Sequence, residues 1–216
     1  MELDLNFNIE DIELDIDFNI DNGLNTRYTK PIIDPEIKEE YLSYKKAVEL
    51  AKNIELLKSS RQFVFLDGSF YFGDFIEALI VEKNYFVEEL TVSTLSMNQN
   101  NIDSLANLLK GGYVGKLNLI ISHYFYSHER HDLIPYIYET LDINNQFQLV
   151  VVRSHCKICL IKTDNNDKIV IHGSANLRSS GNFEQMMIEN NENLYDFNYE
   201  YQKTMMKRYS TIKKEQ

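Results

Sequence analysis

Apolar positions along the chain repeat with two periods, and the order of those periods predicts the architecture. Short runs that are apolar or alternate every second residue occur at 62–66, 89–95, 116–122 and 147–152, the signature of strands. Between them, apolar residues recur every three to four positions. Tyr41, Tyr44, Val48, Ala51 and 54–57 do so within 35–57, and the same spacing continues in 70–81, 98–110 and about 132–141. These read as helices. Asp74 is the expected cap of the second, and Gly111-Gly112 stops the third. The run at 116–122 is apolar on both faces, as a central parallel strand is. Strand and helix alternate, which predicts an α/β domain with right-handed crossovers and a largely parallel sheet.

Two later runs, 154–163 and 168–172, alternate in the same way around Asp164-Asn165-Asn166-Asp167, and so predict a hairpin that adds an antiparallel part. A further strand near 186–191 and a long helix rich in Tyr, Glu and Lys complete the chain. Period-2 geometry places His155 and Lys157 on one face of the first hairpin strand, and Gly173-Ser174-Ala175-Asn176 follows the second. An imidazole, an ammonium, a hydroxyl and an amide thus converge. Those groups suit attack on a phosphate diester: a nucleophile or base, a point charge for the non-bridging oxygens, and neutral donors beside them.

On these residues the chain resembles the phospholipase D-like (HKD) superfamily of phosphodiesterases and nucleases. That pattern runs His, any residue, Lys, four residues, Asp, six residues, then Gly-Ser-x-Asn. His155, Lys157, Gly173, Ser174 and Asn176 match it, and Asn182 and Glu184 stand where a downstream polar pair supports the histidine. Lys162 occupies the Asp slot, and ten residues rather than six separate that slot from Gly173. The extra length falls at the hairpin tip, where insertions are tolerated best. The resemblance implies an α/β/α sandwich with a mixed, largely parallel sheet. It also implies catalytic roles for His155, Lys157, Asn176 and Glu184, with Ser174 binding substrate. Only one His-x-Lys motif is present, so the resemblance implies a homodimer whose two His155 side chains face each other, one attacking phosphorus and the other protonating the leaving oxygen. That chemistry needs no metal and no cofactor.

Length and charge add boundaries. With 216 residues and 44% hydrophobic content, the chain is long enough for one domain, 35–216, behind an extension at 1–34. Residues 1–21 hold eight carboxylates and no Lys or Arg, so they carry −8 of the net charge of −11 and leave a nearly balanced body. Overall acidity therefore does not exclude a nucleic-acid partner, because the local field matters more than the sum. The extension reads either as a solvated edge strand or acidic tail, or as an acidic gate added to a sheet edge. No apolar run approaches a membrane span and the N-terminus is acidic where a signal peptide is basic, so a cytoplasmic chain without membrane association is expected. Cys156 and Cys159 read as apolar filler in a reducing compartment.

Other polar residues fall where α/β sheets present ligands, at the carboxyl ends of strands. Asp67 lies in a Gly-Ser turn at one such end, and Arg178 beside Asn176 offers a second phosphate contact. Residues 123–131 read as a loop in which His123, Arg130 and the aromatics between line a nucleic-acid cleft. The three histidines there, His123, His128 and His131, lack acidic or thiol companions at diagnostic spacing, so no metal is assigned. The Asn-, Ile- and Tyr-rich composition resembles stand-alone domains of phage and other mobile elements. The expected function is a nuclease-type phosphodiesterase acting on nucleic acid. The alternative is a weakened phosphate-binding module whose acidic N-terminus engages a basic partner.

Overall fold

In the computed structural model, residues 47–179 and 181–212 are described, together with the backbone of two short strands before them, so the readings made for 1–31 lie outside the described residues. Among the described residues nine strands form one sheet: β1 (Ile32–Ile33), β2 (Lys38–Tyr44), β3 (Ser60–Leu66), β4 (Val87–Thr94), β5 (Leu117–Ser122), β6 (Phe147–Val152), β7 (Ile158–Thr163), β8 (Lys168–Gly173) and β9 (Glu184–Asn190). Their spatial order is β1-β2-β3-β9-β8-β7-β4-β5-β6. The helices of the described residues are α1 (Ala47–Asn53), α2 (Phe72–Glu82), α3 (Gln99–Lys110), α4 (His123–His128), α5 (Leu133–Leu141) and α6 (Glu192–Tyr209).

The sheet is mixed, as expected, but mostly antiparallel rather than largely parallel. From β3 to β6 only the β4–β5 and β5–β6 pairings are parallel, while β3–β9, β9–β8, β8–β7 and β7–β4 are antiparallel. The cause is where the hairpin inserts. Instead of extending one edge, β7 and β8 enter the middle with β9 beside them, and connections too short for a crossover return strands antiparallel.

The helix expected over 35–57 is a strand, β2, followed by the short α1. Three-to-four spacing places Leu50, Ala51 and Ile54 in the core, whereas the backbone of β2 completes a parallel ladder with β3. Asp74 is not the cap of α2: Tyr71 holds that position and Asp74 lies in the first turn. There, burial and then the nearby Glu77 carboxylate raise its pKa, against a hydrogen bond with Ser104. The start of α3 follows its sequence closely, because Asn98 and Asn101 form a reciprocal capping box.

Two helical layers enclose the sheet, giving the expected α/β/α sandwich. One face is apolar: Val92, Leu119, Cys159, Ile161 and Ile171 pack with α1, α2, α3 and α5 in a single core. The other face carries α6 over β6, β7 and β8, where Leu160 and Val170 meet Tyr195 in a small separate cluster. Among the described residues no helix is long and apolar enough to cross a membrane.

Candidate active site

Strand direction decides which residues meet. β3, β4, β5, β6 and β8 run one way, and β7 and β9 the other. From β3 to β6, one edge of the sheet therefore collects the carboxyl ends of five strands and the amino ends of two. Asp67, Leu95, His123 and Arg153 follow β3, β4, β5 and β6; His155 and Lys157 precede β7; Gly173 ends β8, with Ser174 and Asn176 beyond it; and Glu184 begins β9. The motif residues share this edge.

The strand bearing His155 begins at Ile158 rather than at residue 154, so His155 and Lys157 sit on an extended lead-in rather than on a strand face. Ser154 Oγ accepts from the Cys156 amide at 3.1 Å, and Lys157 Nζ donates to the His155 carbonyl at 3.3 Å. His155 is exposed. On the neighbouring strand end, the Ser174 hydroxyl donates to the Glu184 carboxylate and accepts from the Gln185 amide, the latter at 3.1 Å. Glu184 thus fixes Ser174; among the described residues no hydrogen bond joins it to His155. A Cβ at Gly173 would collide with the Gln185 carbonyl oxygen, so glycine lets β8 and β9 close here.

Asn176 is tied to the end of β4: its Oδ1 accepts from the Leu95 amide at 3.1 Å, and its own amide donates to Ser179 Oγ at 2.9 Å. With the oxygen engaged, the Nδ2 hydrogens remain as donors for an anion. Asp67 forms the expected turn, accepting from the Ser69 amide at 3.0 Å. That turn docks on the motif loop, since Gly181 N donates to Gly68 O at 2.9 Å. Arg178 is exposed in the turn after Asn176.

His155 separates two clefts. The first, about 400 Å³, is bounded by the 153–155 segment and by α4, with His123, Tyr124, His128 and Arg153 in its wall. The second, about 360 Å³, lies between Lys157, the end of β8 and α6, and includes His172 and Phe197. His123 lines the first cleft together with His155, whereas Arg130 lies in the exposed loop beyond α4, outside both linings. The 123–131 segment is helical at its start because Ser122 Oγ accepts from the Phe125 amide at 3.0 Å.

The sequence pattern singles out none of Arg153, His172 and Phe197, and raises His128 only as a metal ligand. Position after a predicted strand could have flagged Arg153, and adjacency to Gly173 could have flagged His172. His172 Nε2 lies 3.9 Å from Glu189 Oε1, and Arg61 Nε lies 3.0 Å from the same oxygen. Burial alone would raise the Glu189 pKa, but the nearby His172 imidazole and the Arg61 guanidinium, whose Nη2 donates to Oε2 at 3.2 Å, outweigh it and hold the carboxyl below its ordinary value. Lys162, in the Asp slot, sits at the far end of β7, paired across the ladder with Lys168 and 2.7 Å from Glu88. The departure from the motif therefore removes nothing from the edge that carries His155. Among the described residues no group of three His, Cys, Asp or Glu side chains is placed to hold a metal ion.

No family model and no curated protein sequence matches the chain. Solved structures do. NucT from Helicobacter pylori superposes with a TM-score of 0.50 at 14% identity, over 68% of this chain and 96% of that one. Phosphatidylserine synthase from Haemophilus influenzae Rd KW20 gives 0.50 at 15% identity, over 71% of this chain and 40% of the other. Polyphosphate kinase from Porphyromonas gingivalis gives 0.54 at 11%, over 78% and 30%. The chain has the phospholipase D-like fold.

Proposed function

We propose that the chain is a phosphodiesterase that cleaves nucleic acid, with His155 as its nucleophile. One observation carries this reading: on a phospholipase D-like fold, an exposed His155 stands between two clefts, on the same sheet edge as Lys157, Ser174 and Asn176. A neutral His155 imidazole attacks phosphorus, forming an N–P bond as the P–O bond to the leaving group breaks. Lys157 and the Asn176 amide stabilise the negative charge on the non-bridging oxygens. Glu184 orders Ser174 beside them. The leaving oxygen takes its proton from a second imidazole, His155 of the partner subunit, in a homodimer that shares one site. Water then attacks the phosphohistidine, giving its proton to that second imidazole as the N–P bond breaks. Nucleophile and acid are both imidazoles, a group whose charge changes near neutral pH, so this scheme requires no metal.

The test is cleavage of labelled DNA and RNA in EDTA by the wild type and by His155→Ala, with the mass of each measured in solution. The expected result is a dimer whose cleavage falls at least about a thousandfold in the variant. Because His155 is exposed, the variant keeps the wild-type melting temperature. Equal cleavage by both proteins would end the enzymatic reading. A folded chain that binds nucleic acid and never cuts it would assign the phosphate-binding module instead.

A further inference from the structure

Each cleft beside His155 carries an aromatic ring that the core does not use. On α4, Tyr124 is 69% exposed, and its ring lies against His128 with centroids 3.8 Å apart and planes 32° apart. On α6, Phe197 is 71% exposed. Neither ring anchors its helix: Phe125 is the buried residue of α4, and Tyr195 is buried beneath α6. The helices are nevertheless held in place. Ser122 caps α4, and the Ser127 hydroxyl donates to the His123 carbonyl at 2.9 Å. Asn191 caps α6, accepting from the Leu194 amide at 3.1 Å. Large apolar rings held in water beside a reactive imidazole call for a ligand with flat faces.

Resting on the reading of His155 as nucleophile, we infer that the Tyr124–His128 pair and Phe197 are base-stacking subsites on the two sides of the scissile phosphate. The substrate is then a single strand with unpaired bases. In a duplex each base face is covered by its neighbours, whereas a splayed single strand offers those faces to aromatic side chains. The first cleft also carries a cation for a flanking phosphate, Arg153 beside Tyr124, while in the second Phe197 lies beside Lys157, the cation on the scissile phosphate itself. A short diester without bases would leave both rings unused.

The test separates base contacts from phosphate contacts. In the full-length His155→Ala background, fluorescence anisotropy at fixed salt compares three probes: a labelled single strand, the same strand with abasic sugars throughout, and its duplex. The single strand is expected to bind about tenfold or more tightly than the abasic strand, which keeps every phosphate. Tyr124→Ala and Phe197→Ala should each cost about tenfold on the base-bearing strand and leave affinity for the abasic strand as it was. Equal affinity for base-bearing and abasic strands, tighter binding of the duplex, or variants that bind the base-bearing strand like their parent would overturn the inference. Hydrolysis of methyl p-nitrophenyl phosphate by the wild type and by His155→Ala is measured alongside. If that hydrolysis does not depend on His155, the catalytic reading fails while the stacking result stands; if it does depend on His155 and the rings prove inert, only the stacking inference fails.

Discussion

On one side of the central strands, Cys159, Ile161, Ile169 and Ile171 lie beneath four helices with at most 1% of their surface exposed. One residue along the same strands, the opposite side sets Leu160 and Val170 beside a run of polar groups. Glu189, Thr91, Asn118 and Gln148 are buried there as well. These polar groups are partnered. Asn118 and Lys116 both reach Glu89 at 2.7 Å, the Tyr199 hydroxyl donates to its other oxygen at 3.0 Å, and Gln202 donates to Ser93 at 3.3 Å. Burial alone would raise the Glu89 pKa, yet these partners keep it below the ordinary value. The two faces therefore do different work. Apolar packing is non-directional and supplies stability, whereas hydrogen bonds are directional. On the polar face they fix where α6 sits, and with it the wall of the second cleft.

The largest expected effect comes from the apolar face. Ile171→Ala removes a fully buried side chain and should cost about 2–5 kcal/mol in urea denaturation, with little dependence on pH. A loss below about 1 kcal/mol would mean that this face is not the main source of stability. A smaller and pH-dependent effect is expected on the polar face. Glu189→Gln leaves Arg61 and His172 without their carboxylate and should cost about 2 kcal/mol at neutral pH. Since the folded-state pKa of Glu189 is depressed, its contribution is fully present above the ordinary carboxylate value and is lost as pH falls through the folded one. The stability gap between wild type and variant should therefore close below about pH 4. A gap that stays constant into acid would assign Glu189 to packing, and the contrast between the faces would lose its electrostatic half.

Much of this arrangement was legible from periodicity. The strands β3 to β6, the helices α2, α3 and α5, and the hairpin of β7 and β8 lie within a few residues of where the hydrophobic pattern put them, because each depends on local spacing. Sheet order was not legible. A run such as Cys159–Ile161 is apolar on adjacent positions, and that pattern is equally consistent with any buried place in a sheet; only the pairing of β7 with β4 shows it to be central. The site divided along the same line. His155, Lys157, Ser174 and Asn176 were readable because they lie close in sequence around one hairpin. Arg153 and Phe197 join them through strand order and the docking of α6, which no local spacing encodes. The motif assigns Glu184 to orienting His155; the hydrogen bond its carboxylate makes is with Ser174, set across the register of β8 against β9. A single loop over 123–131 puts Arg130 in the cleft, whereas α4 ends at His128 and Arg130 lies in the exposed turn beyond it, outside both linings.

Lys162 gives the smallest expected effect and a test of where polar residues matter. It shares the alternation that faces α6, yet it lies at the hairpin end of β7, half-exposed against Glu88 and remote in the ladder from the edge that bears His155. Lys162→Asp would restore the residue that the motif places there. It breaks an exposed ion pair worth at most about 1 kcal/mol and puts a carboxylate opposite Lys168, which offsets part of that loss. Stability should shift by no more than about 0.5 kcal/mol, and the rate of diester cleavage should not change. A gain in rate would mean that the far end of β7 reaches the site through the strand itself. The line between a polar residue that shapes the clefts and one that decorates the sheet would then have to be redrawn from position along the strand to connection through it.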